Sequence, residues 1–224
     1  MNDEEIIADL EMAKNGDIPS PFGRASFTIY GAPSSVQSGK IAKVTYIEKI
    51  KNELQPLKYI LTGEIILNIT WLNSAKSRFE TDAKADIDNC IKPIIDAFTG
   101  VDGLFIDDCQ LSGLYICWRH IESQDERVVF DFEFHPDEFI QKNELAFIKL
   151  DGGLCTPVSL NHPVPARVIW KEALVQGQKS KGELENLGVS YLMVAGFLGN
   201  SRPFHITRTK GFKKVSLDEF IKHT

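Results

Sequence analysis

The sequence lacks the patterns that identify several common classes of protein site. Its four cysteines have no Cys-x-x-Cys spacing and its five histidines are scattered, which argues against a zinc site and favours reduced, buried thiols. It has no glycine-rich loop of the kind that cradles a nucleotide phosphate. No apolar run is long enough for a transmembrane helix, and the acidic N-terminus lacks the basic start of a signal peptide. We therefore expect a cytoplasmic protein with no membrane partner.

The sequence also lacks the positive charge that a nucleic-acid binder usually carries, since its net charge is −6. The charge is unevenly distributed, however. Residues 1–25 carry −4, residues 26–136 carry −5 and residues 137–224 carry +3. The basic excess in the last of these segments is available for contacts with phosphate groups.

Two acidic pairs, Asp86/Asp88 and Asp107/Asp108, are the most informative feature of the sequence. Between them is a helix-sized segment whose apolar residues recur at helical spacing. If the chain before this helix is extended, the carboxylates of Asp86 and Asp88 point to the same side. Lys92 comes one helical turn after Asp88 and lies on the same flank of the helix.

Four carboxylates that converge repel one another unless a cation joins them. Oxygen ligands without a suitably spaced imidazole or thiolate favour Mg²⁺, with Mn²⁺ as the other possibility. Such a site performs phosphate chemistry, because the metal polarises a phosphoryl oxygen and lowers the pKa of a bound water. Lys92 would place a positive charge near the developing anion. The predicted metal ligands are Asp86, Asp88, Asp107 and Asp108.

Two known motifs that contain closely spaced aspartates fit these residues less well. An EF-hand loop starting at Asp82 lacks the glycine at its sixth position and ends on Pro93 rather than glutamate. An isolated Asp-x-Asp motif also occurs in sugar-nucleotide transferases, but that motif requires neither the later lysine nor a second acidic pair. Either pair taken alone is typical of a solvated turn.

The sequence Asp-Ile-Asp-Asn-x-x-Lys, followed by Asp-Ala-Phe-Thr and then Ile-Asp-Asp-x-Gln, resembles the RusA family of Holliday junction resolvases. The resemblance covers residues 26–136. It implies a Mg²⁺-dependent endodeoxyribonuclease that works as a homodimer on branched DNA such as a four-way junction. It also implies that the catalytic residues are Asp86, Asp88, Asp108 and the basic Lys92, with Asp107 beside them.

Hydrophobic periodicity predicts an α/β (α+β) fold, in which helices pack on a mixed β-sheet, and the resemblance implies that this sheet is RusA-like. A stripe of Phe130, Phe132 and Phe134 is expected to face the core, and residues 73–81 to form a loop. The run 104–106 is expected to begin a strand. Further helices are predicted at 3–14, 41–54 and 87–98, and further strands at 26–30, 61–72, 111–118 and 127–134.

Four segments are expected along the chain: an appendage at 1–25, a nuclease domain at 26–136, a connector at 137–163 and a C-terminal module at 164–224. The role of the last, a small α/β extension, is not apparent from the sequence. It is expected to contain a helix at 166–175, a hairpin formed by 189–198 and 204–209, and a terminal helix after a capping box at 216–219.

Basic residues in three places are candidate DNA contacts, although each group is also compatible with a solvated surface. The first group follows a polar loop, the second precedes the first acidic pair, and the third lies near the end of the chain. They are Lys40 and Lys43; Lys76, Arg78 and Lys84; and Arg208, Lys210, Lys213 and Lys214.

The predicted function is resolution of four-way junctions or related branched DNA in recombination or repair, with water as the nucleophile. One alternative is a non-catalytic DNA-binding or regulatory module that retains the nuclease fold. Another is a nucleotidyl or glycosyl transferase, for which no nucleotide pocket is apparent. A homodimer is also favoured because a two-fold symmetric junction needs paired nicks. The candidate interfaces are the 61–72 strand and the apolar 189–198 segment.

Overall fold

The computed structural model describes residues 3–33, 40–80, 87–122, 125–198 and 203–222. The chain forms two compact units, Met1–Phe139 and Ile140–Thr224. None of the described helices is long and apolar enough to cross a lipid bilayer.

The described residues form helices and strands in both units. The helices are α1 (Asp3–Lys14), α2 (Lys40–Leu54), α3 (Ala75–Phe79), α4 (Ile87–Phe98), α5 (Val164–Asn186), α6 (Tyr191–Val194) and α7 (Leu217–Lys222). The strands are β1 (Arg24–Tyr30), β2 (Tyr59–Leu61), β3 (Ile65–Ser74), β4 (Leu111–Ile121), β5 (Arg127–Phe134), β6 (Phe139–Gln141), β7 (Leu145–Lys149), β8 (Leu154–Ser159), β9 (Phe204–His205) and β10 (Lys214–Val215).

The first unit contains the predicted mixed sheet, with strand order β1-β5-β3-β4. Strand β3 runs parallel to β4 and antiparallel to β5, and β1 runs antiparallel to β5. Two adjacent parallel strands need a crossover, which includes α4. Ile65 pairs with Leu111, so both parallel strands begin at the same end of the sheet. The second acidic pair, just before β4, lies at that end.

Phe98, at the end of α4, anchors the helix to the sheet. Its ring lies 5.1 Å from the ring of Phe130 and 4.9 Å from that of Phe132, measured between centroids, and all three side chains are fully or almost fully buried. Phe134 is partly buried against the same core, so the aromatic stripe faces inward as predicted. Burying one such ring stabilises the fold by about 2–3 kcal/mol. This packing fixes the position of α4, which carries Lys92.

The predicted strand 61–72 is wrong as one continuous element, because the chain breaks between β2 and β3. Gly63 lies against Glu138, and a Cβ added to it would come within 1.7 Å of a carboxylate oxygen of that residue. The N–H of Thr62 donates to the Glu138 carbonyl rather than to a neighbour in the sheet of β3. Strand β3 is also internal, with β4 and β5 on either side, so it offers no free edge for a partner.

Two other local predictions for this unit are wrong. The range 73–81, expected to be a loop, contains α3. Residues 104–106 form no strand, because Phe105 makes only isolated bridges with Leu61 and Thr99. The chain uses its backbone groups there to close the end of α4, with the Leu104 N–H donating to the Phe98 carbonyl.

The second unit is built on a sheet of order β10-β7-β8-β9. Its core includes Ile148, Val158 and Phe220. Helix α5 continues eleven residues beyond the predicted end at 175, to Asn186. This extension contains Gly177. A Cβ at that position would come within 1.9 Å of the Phe197 carbonyl oxygen, so a larger residue would not fit. The helix therefore needs a glycine for close packing at a position that helix propensity alone disfavours.

Regular structure from residue 137 onwards also differs elsewhere from the expectation. Residues 137–163, expected to connect two domains, contain β6, β7 and β8. The predicted hairpin is wrong, because 191–198 is helical and only Phe204–His205 is extended in the other arm. The capping box is confirmed. The Ser216 N–H donates to a Glu219 carboxylate oxygen at 2.7 Å, and the Glu219 N–H donates to the Ser216 hydroxyl oxygen at 3.2 Å.

Candidate active site

Asp107 and Asp108 occupy a tight turn at the start of β4. Asp108, Cys109 and Gln110 form one turn of 3₁₀ helix, and Asp107 is its extended N-cap. One oxygen of the Asp107 side chain accepts a hydrogen bond from the Cys109 N–H at 3.1 Å. This is the usual use of an aspartate at a helix start, because its carboxylate satisfies a donor that the helix leaves unpaired. The two adjacent carboxylates therefore differ, with Asp107 partly engaged in holding the turn.

Gln110 locks this turn to the neighbouring chain. The residue is completely buried, and its side-chain oxygen accepts from the N–H groups of Ile106 at 2.7 Å and Asp107 at 3.2 Å. Its amide nitrogen donates to the carbonyls of Leu61 at 3.0 Å and Gly63 at 2.7 Å. Sequence reasoning included Gln110 in the motif but assigned it no role. Its four bonds explain why a primary amide suits this position, since only an amide both accepts and donates in pairs.

Lys92 connects α4 with the acidic turn. Its ammonium nitrogen lies 3.0 Å from Asp108 Oδ2 and 2.6 Å from Asp96 Oδ1. Hydrogen bonds to Asp96 and then Asp108 raise the pKa of Lys92, so the group stays charged at neutral pH. Both ends of the Asp108 pair remain accessible, with 62% of the lysine and 35% of the aspartate side chain exposed. The pair thus brings together two parts of the motif that are 16 residues apart.

The first acidic pair is placed only in part. Asp88 lies in α4, four positions before Lys92, so its backbone is one helical turn from that lysine. The side chain of Asp88 and the whole of Asp86 lie outside the described residues. The described part of the chain contains no group of three or more residues that could hold a metal ion.

The donor chemistry at this turn nevertheless suits a hard divalent cation. Asp108 offers carboxylate oxygens that are accessible to solvent, and its present counter-ion is an ammonium group. Cys109 is adjacent and half-buried, but thiols are poor ligands for Mg²⁺. The turn therefore carries two of the four predicted metal ligands, Asp107 and Asp108, in an arrangement that suits such an ion. The convergence of all four carboxylates remains a prediction.

The predicted DNA contacts near α3 take up different positions. Lys76 lies 4.0 Å from Glu80 in an exposed ion pair. The Arg78 guanidinium lies over the Trp118 ring, 4.3 Å from its centroid, and next to His120, which in turn packs against the exposed ring of Phe79. This cluster of a cation and aromatic rings had no clear signal in the sequence, because its members come from α3 and β4. The side chains of Lys40 and Lys43, and all of Lys84, lie outside the described residues.

The C-terminal basic residues also divide into two kinds. Arg208, Lys210 and Lys213 are exposed. Lys214 instead directs its ammonium group towards the backbone, donating to the carbonyls of Thr209 at 2.7 Å and Phe212 at 3.4 Å. It therefore has a structural role in the second unit that the charge pattern alone does not reveal.

Comparison with known proteins agrees with the acidic motif. No curated protein matches the chain. The family described as Endodeoxyribonuclease RusA matches residues 19–130, which is half of the chain. The match includes β1, β3, β4 and the first half of β5, together with Lys92, both acidic pairs and Gln110, and it ends before the second unit begins. The chain therefore belongs to the RusA family of endodeoxyribonucleases.

Proposed function

We propose that the protein is a Mg²⁺-dependent endodeoxyribonuclease that cuts four-way junctions or related branched DNA. The observation that carries this proposal is the contact of Lys92 with Asp108, which joins two parts of the RusA motif in space. Resolution of DNA junctions is the activity associated with the family. The proposal includes a preference for four-way junctions over other branched DNA and a preference for Mg²⁺ over Mn²⁺.

Asp86, Asp88, Asp107 and Asp108 would hold the divalent ion. When bound, such an ion supplies a nucleophilic hydroxide at neutral pH and neutralises charge on the phosphate. Asp107 and Gln110 hold the turn in a fixed conformation, so Asp108 needs little reorganisation on binding. The arrangement thereby favours a site assembled before DNA arrives.

Lys92 is suited to stabilise negative charge on the scissile phosphate. Hydrogen bonds to Asp96 and Asp108 raise the pKa of Lys92, so the ammonium form dominates at neutral pH and suits electrostatic stabilisation better than proton abstraction. Release from Asp108 costs little, since exposed ion pairs contribute about 0–1 kcal/mol. A phosphate oxygen can therefore replace one of its carboxylate partners, and the lysine contributes as a fixed positive charge.

The direct test is cleavage of labelled four-way, three-way and linear DNAs with Mg²⁺ or with EDTA. We expect Mg²⁺-dependent cuts in the four-way junction and loss of at least about a hundred-fold in rate for Asp108→Asn. Asp102→Asn is the matched control, because Asp102 is an exposed aspartate in the preceding turn. Far-ultraviolet circular dichroism establishes that both variants are folded.

Three results would count against the proposal. Cleavage in EDTA would show that the reaction does not depend on a metal ion. A wild-type cleavage rate for Asp108→Asn would mean that the site is misassigned. Binding of the junction without any cleavage would favour the non-catalytic DNA-binding module.

A further inference from the structure

The two units of the protein carry opposite net charge. The first contains 13 basic and 24 acidic residues, giving −11, whereas the second contains 12 basic and 7 acidic residues, giving +5. No acidic residue occurs between positions 186 and 217, a range with five basic residues. An acidic nuclease unit repels the DNA backbone, so a basic surface elsewhere in the chain would lower the cost of association.

Much of this positive charge lies on one well-anchored segment, residues 206–214, which we call the basic loop. The Thr209 side chain is buried and its hydroxyl donates to the Ile206 carbonyl at 3.0 Å. The Lys214 ammonium closes the loop through its bonds to two backbone carbonyls. Phe212 packs edge-on against Phe147, with ring centroids 5.4 Å apart. These contacts fix the backbone, so little loop entropy is lost when a ligand binds.

The other basic residues of the loop are accessible to solvent. Arg208, Lys210 and Lys213 are all exposed, and Lys149 is exposed at the end of the neighbouring strand. The Phe147 N–H donates to the Lys213 carbonyl at 2.9 Å, which ties the loop to β7. Hydrogen bonds from Ser216 are the main cause of the lowered pKa of Glu219, and the charges of Lys149 and Lys213 lower it further. Both lysines therefore lie near this one carboxylate.

We propose that the basic loop binds the phosphate backbone of a duplex arm of DNA without reading its sequence. This inference rests on the proposed action on DNA. Exposed lysine and arginine side chains contact phosphates, whereas base recognition requires groups inserted in a groove or rings for stacking. The aromatic ring of the loop, Phe212, is engaged with Phe147 instead. The loop lies outside the RusA match, so it adds a contact that this match does not cover.

The experiment measures binding of the full-length protein to a linear DNA duplex in EDTA at several salt concentrations. Each phosphate contact contributes about 0.9 to the slope of log affinity against log salt. The double variant Lys210→Gln/Lys213→Gln removes two such contacts, so we expect the magnitude of its slope to be smaller by about 2. Between about 50 and about 200 mM salt, the affinity of the wild type should then drop about ten-fold more than that of the variant.

The matched control is Lys51→Gln/Lys179→Gln, which removes the same charge from exposed positions on two helices. We expect it to keep the wild-type slope. An unchanged slope in the basic-loop variant, or an equal fall in the control, overturns the proposal. The same measurement is made with an RNA duplex. If the basic-loop variant has a smaller salt slope with RNA but not with DNA, the assignment to DNA is wrong.

Binding and cleavage separate this inference from the proposed function. A reduced slope in a protein that cuts no DNA supports the basic loop and rejects the nuclease. Metal-dependent cleavage combined with an unchanged salt slope in the basic-loop variant supports the nuclease and rejects the basic loop as a DNA contact.

Discussion

At the scale of single residues, Lys92 is held between two carboxylates. If it stabilises the scissile phosphate, Lys92→Ala should lower the cleavage rate about a hundred-fold and junction affinity less than about three-fold. Single-turnover cleavage and binding in EDTA measure the two effects separately. The raised pKa of Lys92 implies that the stabilisation from its ammonium group is complete at neutral pH and is lost, on the alkaline side, as the pH rises through that pKa.

The comparison variant for Lys92 is Lys58→Ala, because Lys58 also forms an exposed ion pair, with Asp17. It should leave both quantities near wild type. Equal losses of rate and affinity in Lys92→Ala would make the lysine a simple phosphate anchor. No loss in either would leave it a surface ion pair.

Tyr59 provides a prediction about alkaline pH. Burial raises its pKa to about 12, above the usual value of about 10. The unfolded chain then loses the phenolic proton at lower pH than the folded chain does. The stability from this group is therefore complete below about pH 10 and is lost as the pH rises to about 12, by up to about 1.4 kcal/mol per pH unit.

Urea unfolding at about pH 9, 10 and 11 tests this prediction. Tyr59→Phe should lose stability less steeply than the wild type over this range. Tyr115→Phe, which changes an exposed tyrosine, should follow the wild type. Parallel curves for all three proteins would mean that Tyr59 ionises equally well in the folded and unfolded chains.

At the scale of elements, the turn before β4 depends on a buried amide. Gln110→Ala leaves the N–H groups of Ile106 and Asp107 and the carbonyls of Leu61 and Gly63 without their partner. Unsatisfied buried groups cost about 1–3 kcal/mol each, so we expect a loss of at least about 3 kcal/mol in the free energy of unfolding. Cleavage should also fall, because Asp108 is carried by this turn.

Gln178→Ala is the appropriate comparison for chemical unfolding. Gln178 makes one exposed bond, accepting from the Asp151 N–H at 2.9 Å, so its loss should cost less than about 1 kcal/mol. Similar stabilities for the two variants would contradict the buttressing role of Gln110. Full activity in a destabilised Gln110→Ala protein would mean that Gln110 stabilises the fold but is not needed to position Asp108 for catalysis.

At the scale of the whole molecule, the proposed cleavage of a junction has a consequence for assembly. A four-way junction is two-fold symmetric, and one acidic cluster cuts one strand, so we predict a homodimer. Of the two interfaces expected from the sequence, β3 is enclosed by its neighbours. Segment 189–198 keeps apolar side chains exposed, with Leu192 at 88% and Met193 at 76%. Of the two predicted interfaces, this segment is therefore the accessible one.

Light scattering at the concentrations of the cleavage assay measures the mass of the free protein and of its junction complex. We expect a dimer in the complex. A monomer in both samples would reject the paired-nick mechanism and favour a nuclease that makes single nicks.

Features that depend on a local pattern of residues could be predicted from the sequence. Period-3.6 apolar residues predicted α4, alternating residues predicted β1 and β5, and the spacing of aspartates and Lys92 indicated the family. These signals are readable because each element needs only one buried face, and that face follows the repeat of the backbone. The capping box before α7 is equally local, since its two hydrogen bonds join residues three apart.

Contacts between groups that are far apart in the sequence became apparent in the folded chain alone. Gln110 gains its role from carbonyls 47 and 49 positions earlier in the chain. The break at Gly63 coincides with its close approach to Glu138, and the glycine within α5 leaves room for the Phe197 carbonyl. In each case a buried backbone group or a close approach is satisfied by a distant partner. Local propensity does not specify that partner, whereas packing of the folded chain does.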